Sequence, residues 1–243
     1  MRVLLLKEIR GFFSTLTGYI VIIVFLLLNS LFMWVFPGDF NILDSGYASL
    51  DTFFTMAPWI FLFLVPAITM RSFAEEKRSG TLEFLLTKPL TDLQIIVSKY
   101  MGGLLLVLFS LIPCLVYFWS VSHLGNPPGN LDSGGIWGAF IGLFFLAAIY
   151  VSIGVFTSAL SANQIVAFII AILLSFIAYM GFDYLAAIPL FQSMDAFILN
   201  LGINEHYKSI SRGVVDSRDL IYYLAVVVFF ILLTKIRLES RKW

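Results

Sequence analysis

The sequence predicts an all-α, polytopic integral membrane protein. Six transmembrane helices are expected, with an N-terminal amphipathic interfacial helix and a helical hairpin between spans two and three. Three observations lead there. Of the 243 residues 60% are hydrophobic and 12% charged, and the mean hydropathy is +0.96, whereas a soluble domain carries about a quarter charged residues. The charges are gathered between long uncharged runs, and the basic ones favour alternate connections. At about 20 residues per span, six spans leave room for one membrane domain over 1–243 and no separate soluble one.

Met1 to Arg10 is basic, and Arg2, Lys7, Glu8 and Arg10 alternate with Val3, Leu4, Leu6 and Ile9, the pattern of a helix lying in the membrane interface. A plain positive anchor is the alternative reading. The apolar stretch that follows is too long for a signal peptide and lacks a small-residue cleavage site, so it reads as a retained helix. No charge occurs between Gly11 and Gly38, which places the first span at 16–36. Asp51 and Arg71 bracket the second, 52–70, which contains Pro58 and Pro66. Proline is tolerated in a span when neighbours satisfy the freed carbonyls. Lys99 opens the third, 100–121, closed by the turn signal Asn126-Pro127-Pro128-Gly129. The 50 uncharged residues between Asp132 and Asp183 are too many for one helix. A polar turn at Ser161-Ala162-Asn163-Gln164 divides them into spans 136–160 and 165–182. The last uncharged run, 220–234, is short, and Lys235 and Arg237 extend it to 220–237 by snorkelling.

Under this topology the N-terminus, the loop 71–99 and the C-terminus hold 12 of the 15 lysines and arginines, and the external loop 183–219 holds Lys208, Arg212 and Arg218. Positive charge marks the cytoplasmic side. Both termini are therefore expected in the cytoplasm, and five or seven spans would destroy the asymmetry.

Fifteen basic residues balance fifteen acidic ones, so nothing draws the chain to nucleic acid. The chain has no Gly-Lys pair, hence no P-loop, and no His-Glu-x-x-His or Gly-x-Ser-x-Gly motif. Cys114, His123 and His206 cannot make a Cys/His zinc cluster. No catalytic residue, metal or cofactor is expected. The span cores are uncharged, which disfavours an ion-coupled carrier. Asn29, Ser110 and Ser175 read as hydrogen bonders between helices, and Gly138 and Gly142 as a small-residue packing face extended by Ala148 and Ser152.

The segment from Arg71 to Asp92 carries the most information. Its charged start continues span two as a helix to a stop at Gly80, and a short helix follows over Leu82 to Leu86, ended by Pro89. Thr91 and Gln94 have capping-box spacing for the helix entering span three. Leu82, Phe84, Leu85 and Leu86 are more apolar surface than a solvated turn should expose. A protein partner, the bilayer surface or the chain's own hairpin would cover them.

At these residues the sequence resembles the permease subunits of ABC transporters of the type-2 exporter class, and within it the gliding-motility-associated subfamily. The likeness is carried by Pro66-Ala67-Ile68-Thr69-Met70-Arg71, by Glu75-Glu76-Lys77-Arg78-Ser79-Gly80-Thr81-Leu82-Glu83, by Leu85-Leu86-Thr87-Lys88-Pro89, by Lys99-Tyr100 and by Ser211-Arg212-Gly213-Val214-Val215-Asp216-Ser217-Arg218-Asp219. It implies a bacterial inner-membrane permease, paired with a second permease or auxiliary membrane subunit and driven by a separate cytoplasmic ATPase. It further implies that Glu76, Arg78, Gly80, Thr81, Leu82, Glu83, Phe84 and Leu85 form or flank a coupling helix docked in that ATPase. Gly213 and Asp216 would line or cap the exit side, with cargo linked to gliding motility or surface-protein export. A non-transporting scaffold that anchors envelope or cytoplasmic proteins is the competing reading.

Overall fold

A computed structural model describes residues 1–87 and 89–240, and among them every regular element is helical. Lys88, Arg241 and Lys242, which enter the charge count, lie outside the described residues. In chain order the helices are α1 (Arg2–Phe13), α2 (Leu16–Ser30, continued by a π-turn over Leu31–Val35), α3 (Ile42–Ser45), α4 (Asp51–Thr69) and α5 (Arg71–Arg78). Next come α6 (Thr81–Leu86), α7 (Asp92–Leu111), α8 (Leu115–Leu124), α9 (Ser133–Leu160) and α10 (Gln164–Phe176). The chain closes with α11 (Phe182–Ala186), α12 (Asp195–Leu199), α13 (Ile203–Ser211) and α14 (Ser217–Glu239). Six stretches are long and apolar enough to span: Leu16–Val35, Asp51–Arg78, Asp92–Leu124, Ser133–Leu160, Gln164–Ala186 and Ser217–Glu239.

The fourth span is the axle of the bundle. Its most apolar stretch is 78% buried, against 22% in the fifth and sixth spans, and α4, α5, α7, α10, α13 and α14 all pack on it. Lipid tails are as apolar as leucine, so packing in a membrane is driven by close van der Waals contact, and small residues allow it. A Cβ on Gly154 would overlap Thr69 Oγ1 of α4, and one on Gly103 of α7 would lie 3.0 Å from Val151 Cγ1.

The external loop of the sequence reading is a folded cap. Helix α13 lays Ile203, Tyr207 and Ile210 onto α9, and it, not another span, occupies the glycine face. A Cβ on Gly138 would meet the Ile210 carbonyl oxygen at 2.7 Å, and one on Gly142 would meet Ile210 Cγ2 at 3.3 Å. Pro58 has no N–H to offer the carbonyl of Phe54, four residues earlier. Tyr207 donates its hydroxyl to that oxygen at 2.8 Å. Burial, with Tyr179 and Tyr223 nearby, pushes the Tyr207 phenol well above its ordinary pKa and keeps it a donor.

The polar span residues behave otherwise than the sequence suggested. Asn29 donates to the Phe25 carbonyl and Ser110 to the Val107 carbonyl, both within their own helices, and Ser175 Oγ has no partner among the described residues. Bonds between helices come instead from Tyr117, whose hydroxyl meets Ser30 Oγ at 2.7 Å and the Leu26 carbonyl at 2.9 Å, from Tyr207, and from Ser158.

Candidate coupling site at the hairpin

The hairpin is built by a break, a stalk and a tip. At Met70 the helix turns from α4 into α5, and a helix that starts afresh has first-turn N–H groups with no acceptor of its own. Ser158 of α9 supplies one. Its buried Oγ accepts from the Phe73 N–H at 2.9 Å and the Ala74 N–H at 3.0 Å and donates to the Met70 carbonyl at 2.9 Å. Lys77 reaches the carbonyl of Ala159 at the end of α9. Stalk and axle are thereby joined at two heights. Ser158→Ala is expected to lower stability by about 1–3 kcal/mol, the cost of leaving buried partners unsatisfied. Thermal unfolding of the purified chain checks it.

Charge ties the stalk to two further elements. Lys99 of α7, only 2% exposed at its side chain, has Nζ 2.9 Å from Glu76 Oε1 and 3.1 Å from Glu8 Oε1, and sits 5.1 Å from the centre of the Phe73 ring. Lys7 lies 3.8 Å from the same Glu76 oxygen. Gly102 permits the approach, because a Cβ there would stand 3.0 Å from the Cβ of Glu8. One ammonium thus binds α1, α5 and α7. Glu76 is held inside the chain, where the sequence reading had offered it to a partner.

At the tip Gly80 has φ +70°, the left-handed stop that glycine adopts without strain. Ser79 Oγ and Thr81 Oγ1 are 2.8 Å apart across it. Helix α6 then splits its apolar residues. Leu82 is 2% exposed and belongs to the chain's own core, so it is not a free anchor; Phe84 is 71% exposed. Arg78, Thr81 and Glu83 are exposed and Leu85 is half-buried. The expected capping box forms at Thr91 and Gln94 and starts α7. The tip therefore presents Arg78, Thr81, Glu83 and Phe84, with Leu85 at its edge, on a braced stalk.

At the far end of the bundle, Gly213 has φ +89° and its backbone lies against that of Gly134 and Gly135, while Asp216 caps α14 by accepting from the Arg218 N–H at 2.9 Å. Their roles here are a close approach and a helix start. Asp219 is buried beside them and meets His206 Nδ1 at 2.7 Å. A cavity of about 640 Å³ opens at this end between α4, α9 and α13, with Asp51, Trp59, Asp132, Tyr179, Asn204 and Tyr207 in its walls. Sequence reasoning missed Ser158 and the joint role of Lys99 and Glu8, because no local motif links residues so far apart in the chain. It also missed α13, for which the spacing of Ile203, Tyr207 and Ile210 was a usable signal.

A comparison with curated proteins gives no match. The family model described as ABC-2 family transporter protein matches residues 37–203, more than half of the chain. That stretch runs from the end of the first span through the hairpin and the axle helix to the start of α13. Six helices long and apolar enough to span, with a braced hairpin between the second and third, accord with it, and the chain belongs to the ABC-2 family of transporter proteins, as a multi-pass membrane permease subunit.

Proposed function

We propose that this permease subunit works in an ATP-driven exporter of the bacterial inner membrane and takes its energy from a separate cytoplasmic ATPase through the tip of the hairpin. The observation that carries the proposal is the division of labour within α6: Leu82 anchors the helix to its own chain while Phe84 stands 71% exposed on a stalk fixed to α9, α7 and α1. A rigid lever with an apolar, charged-rimmed end fits a protein socket. Arg78, Thr81, Glu83, Phe84 and Leu85 are the docking residues. Gly80 sets the angle of the tip, and Glu76 holds the stalk. The cavity between α4, α9 and α13 supports an exit on the opposite side. The resemblance to gliding-motility permeases supports a cargo connected with motility or surface-protein export and a second permease or auxiliary membrane subunit beside this one.

Two measurements test the reading. Single cysteines at Glu83 and Val214, in a Cys114→Ser background, are expected to react from opposite sides of the membrane, with Glu83 on the cytoplasmic side. Labelling of both from one side would overturn the topology. The purified chain is expected not to hydrolyse ATP, yet to change the turnover of an ATPase that crosslinks to a cysteine at Glu83. Hydrolysis by the isolated chain, or no crosslink to any ATPase in intact membranes, would count against coupling at the hairpin.

A further inference from the structure

Beside the stalk, α1, the first turn of α2, the α4–α5 junction and Lys99 of α7 enclose a cleft of about 300 Å³. Its charged walls are Lys7, Glu8, Arg71, Glu75, Glu76 and Lys99, three of each sign. Most of this charge is already spoken for. Lys99 is shared by Glu8 and Glu76, and Lys7 leans on Glu76. Among the described residues, two charged groups lining the cleft are left with no ion-pair partner: the Arg71 guanidinium, whose Nη1 is 3.5 Å from Thr17 Oγ1, and the Glu75 carboxylate. They stand four residues apart on α5, so their side chains rise from one face about 6 Å from each other. With the base preceding the acid, the pair has the less favourable order for bonding along a helix. The cleft thus offers a cation and an anion, side by side and open to a ligand of the reverse pattern.

Depth in the membrane identifies the source of that ligand. Arg71 follows directly on the uncharged run 52–70, and Thr17 stands at the start of the first span, so the cleft lies at the level of the lipid headgroups. One turn along α2 from Thr17, Ile20 is 53% exposed and apolar, and Leu16 beside it is 76% exposed. These are surfaces on which acyl chains can lie.

We infer that the cleft is a binding site for a zwitterionic phospholipid with a primary ammonium, a phosphatidylethanolamine. Its phosphate is taken by Arg71 and the Thr17 hydroxyl, its ammonium by Glu75. A guanidinium binds phosphate oxygens through a fork of N–H donors. A carboxylate only accepts, so it distinguishes an ammonium with N–H groups from the trimethylated headgroup of phosphatidylcholine. Phosphatidylglycerol would give the same phosphate to Arg71 but bring no ammonium to Glu75, whose carboxylate would stay unpaired beside that charge. The bound headgroup would link the entry to span one to the stalk, and it needs no ATPase to do so.

The test uses the full chain in detergent micelles supplied with equal amounts of phosphatidylethanolamine, phosphatidylcholine and phosphatidylglycerol of the same acyl composition. Bound lipid is counted by native mass spectrometry. Wild type is expected to retain phosphatidylethanolamine about tenfold over each of the others, the ratio that one good polar contact gives. Arg71→Gln should weaken retention of all three, and Glu75→Gln should remove the preference over phosphatidylcholine while retaining phosphate-dependent binding. Both positions are exposed, and a melting curve of each variant checks that it has folded. Absence of any headgroup preference in wild type, or a preference unchanged in both variants, would overturn the site. Glycerophosphoethanolamine, the same headgroup without chains, should compete only weakly. Equal competition at equal concentration would assign the cleft to a soluble phosphoamine and overturn the lipid source.

Discussion

Phe84→Asp is expected to reduce ATPase stimulation about thirtyfold or more without changing the stability of the chain. Phe84 is the largest exposed apolar group on α6, 71% open to solvent, so the folded monomer gives up little when it is replaced. An aromatic anchor in a partner's socket typically contributes about 2–4 kcal/mol, and 2 kcal/mol is about thirtyfold in affinity. A carboxylate in the same socket adds a desolvation cost and makes the loss larger. Glu83→Lys reverses a charge on the exposed rim and should weaken docking by a smaller factor, with a stronger dependence on salt. Leu82→Asp provides the contrast. That side chain is 2% exposed, so a carboxylate there should lower the melting temperature and detach the tip from its own stalk. Val214→Asp, an exposed change at the far end, should do neither. The measurement is stimulated hydrolysis beside thermal unfolding for all four variants. Equal loss of activity in Phe84→Asp and Val214→Asp, or full activity in Phe84→Asp, would remove α6 from the coupling path.

The contrast between Leu82 and Phe84 also marks how far the sequence could be read. That the chain is all-helical with six spans was legible because lipid imposes a rule on composition: a span must avoid charge for about 20 residues. The interruptions at Arg71, Lys99, Asp132 and Asp183 are therefore punctuation. The capping box at Thr91 and Gln94 and the stop at Gly80 were legible for a different reason, each being a local backbone requirement met by residues a few positions apart. Direction around a helix was not legible. Leu82, Phe84 and Leu85 looked alike in a row, and only the packing of α6 on its stalk separates the inward residue from the outward one. Asn29 and Ser110 carried polarity but turned back on their own carbonyls. Tyr207 was hidden inside what read as a loop, although Pro58 announced that the Phe54 carbonyl would need an outside donor.

Lys99→Met should be the most destabilising single change at the hairpin end, costing about 3–5 kcal/mol, the range for removing one partner of a buried ion pair. The size follows from what remains. Glu8 and Glu76 have side chains 16% and 15% exposed, each directs Oε1 at the same ammonium, and Glu76 Oε2 is buried with no donor among the described residues. Without Lys99 these two carboxylates face one another across the site, and Lys7, 3.8 Å from Glu76 and 66% exposed at its side chain, is too loosely held to replace it. The loss is a penalty of unpaired charge, and that makes a second result necessary. In the triple variant Glu8→Gln, Glu76→Gln, Lys99→Met nothing charged is left stranded, and replacement of a whole buried cluster is often near neutral. Its melting temperature should recover most of the way to wild type. Coupling should not recover with it, because the joint among α1, α5 and α7 has lost the one group that held all three. Thermal unfolding and stimulated ATP hydrolysis of the two variants, measured together, separate the contributions. A single variant that melts like wild type would show that the Lys99 cluster is not what fixes the stalk. A triple variant with both stability and stimulation restored would show that packing alone transmits the motion.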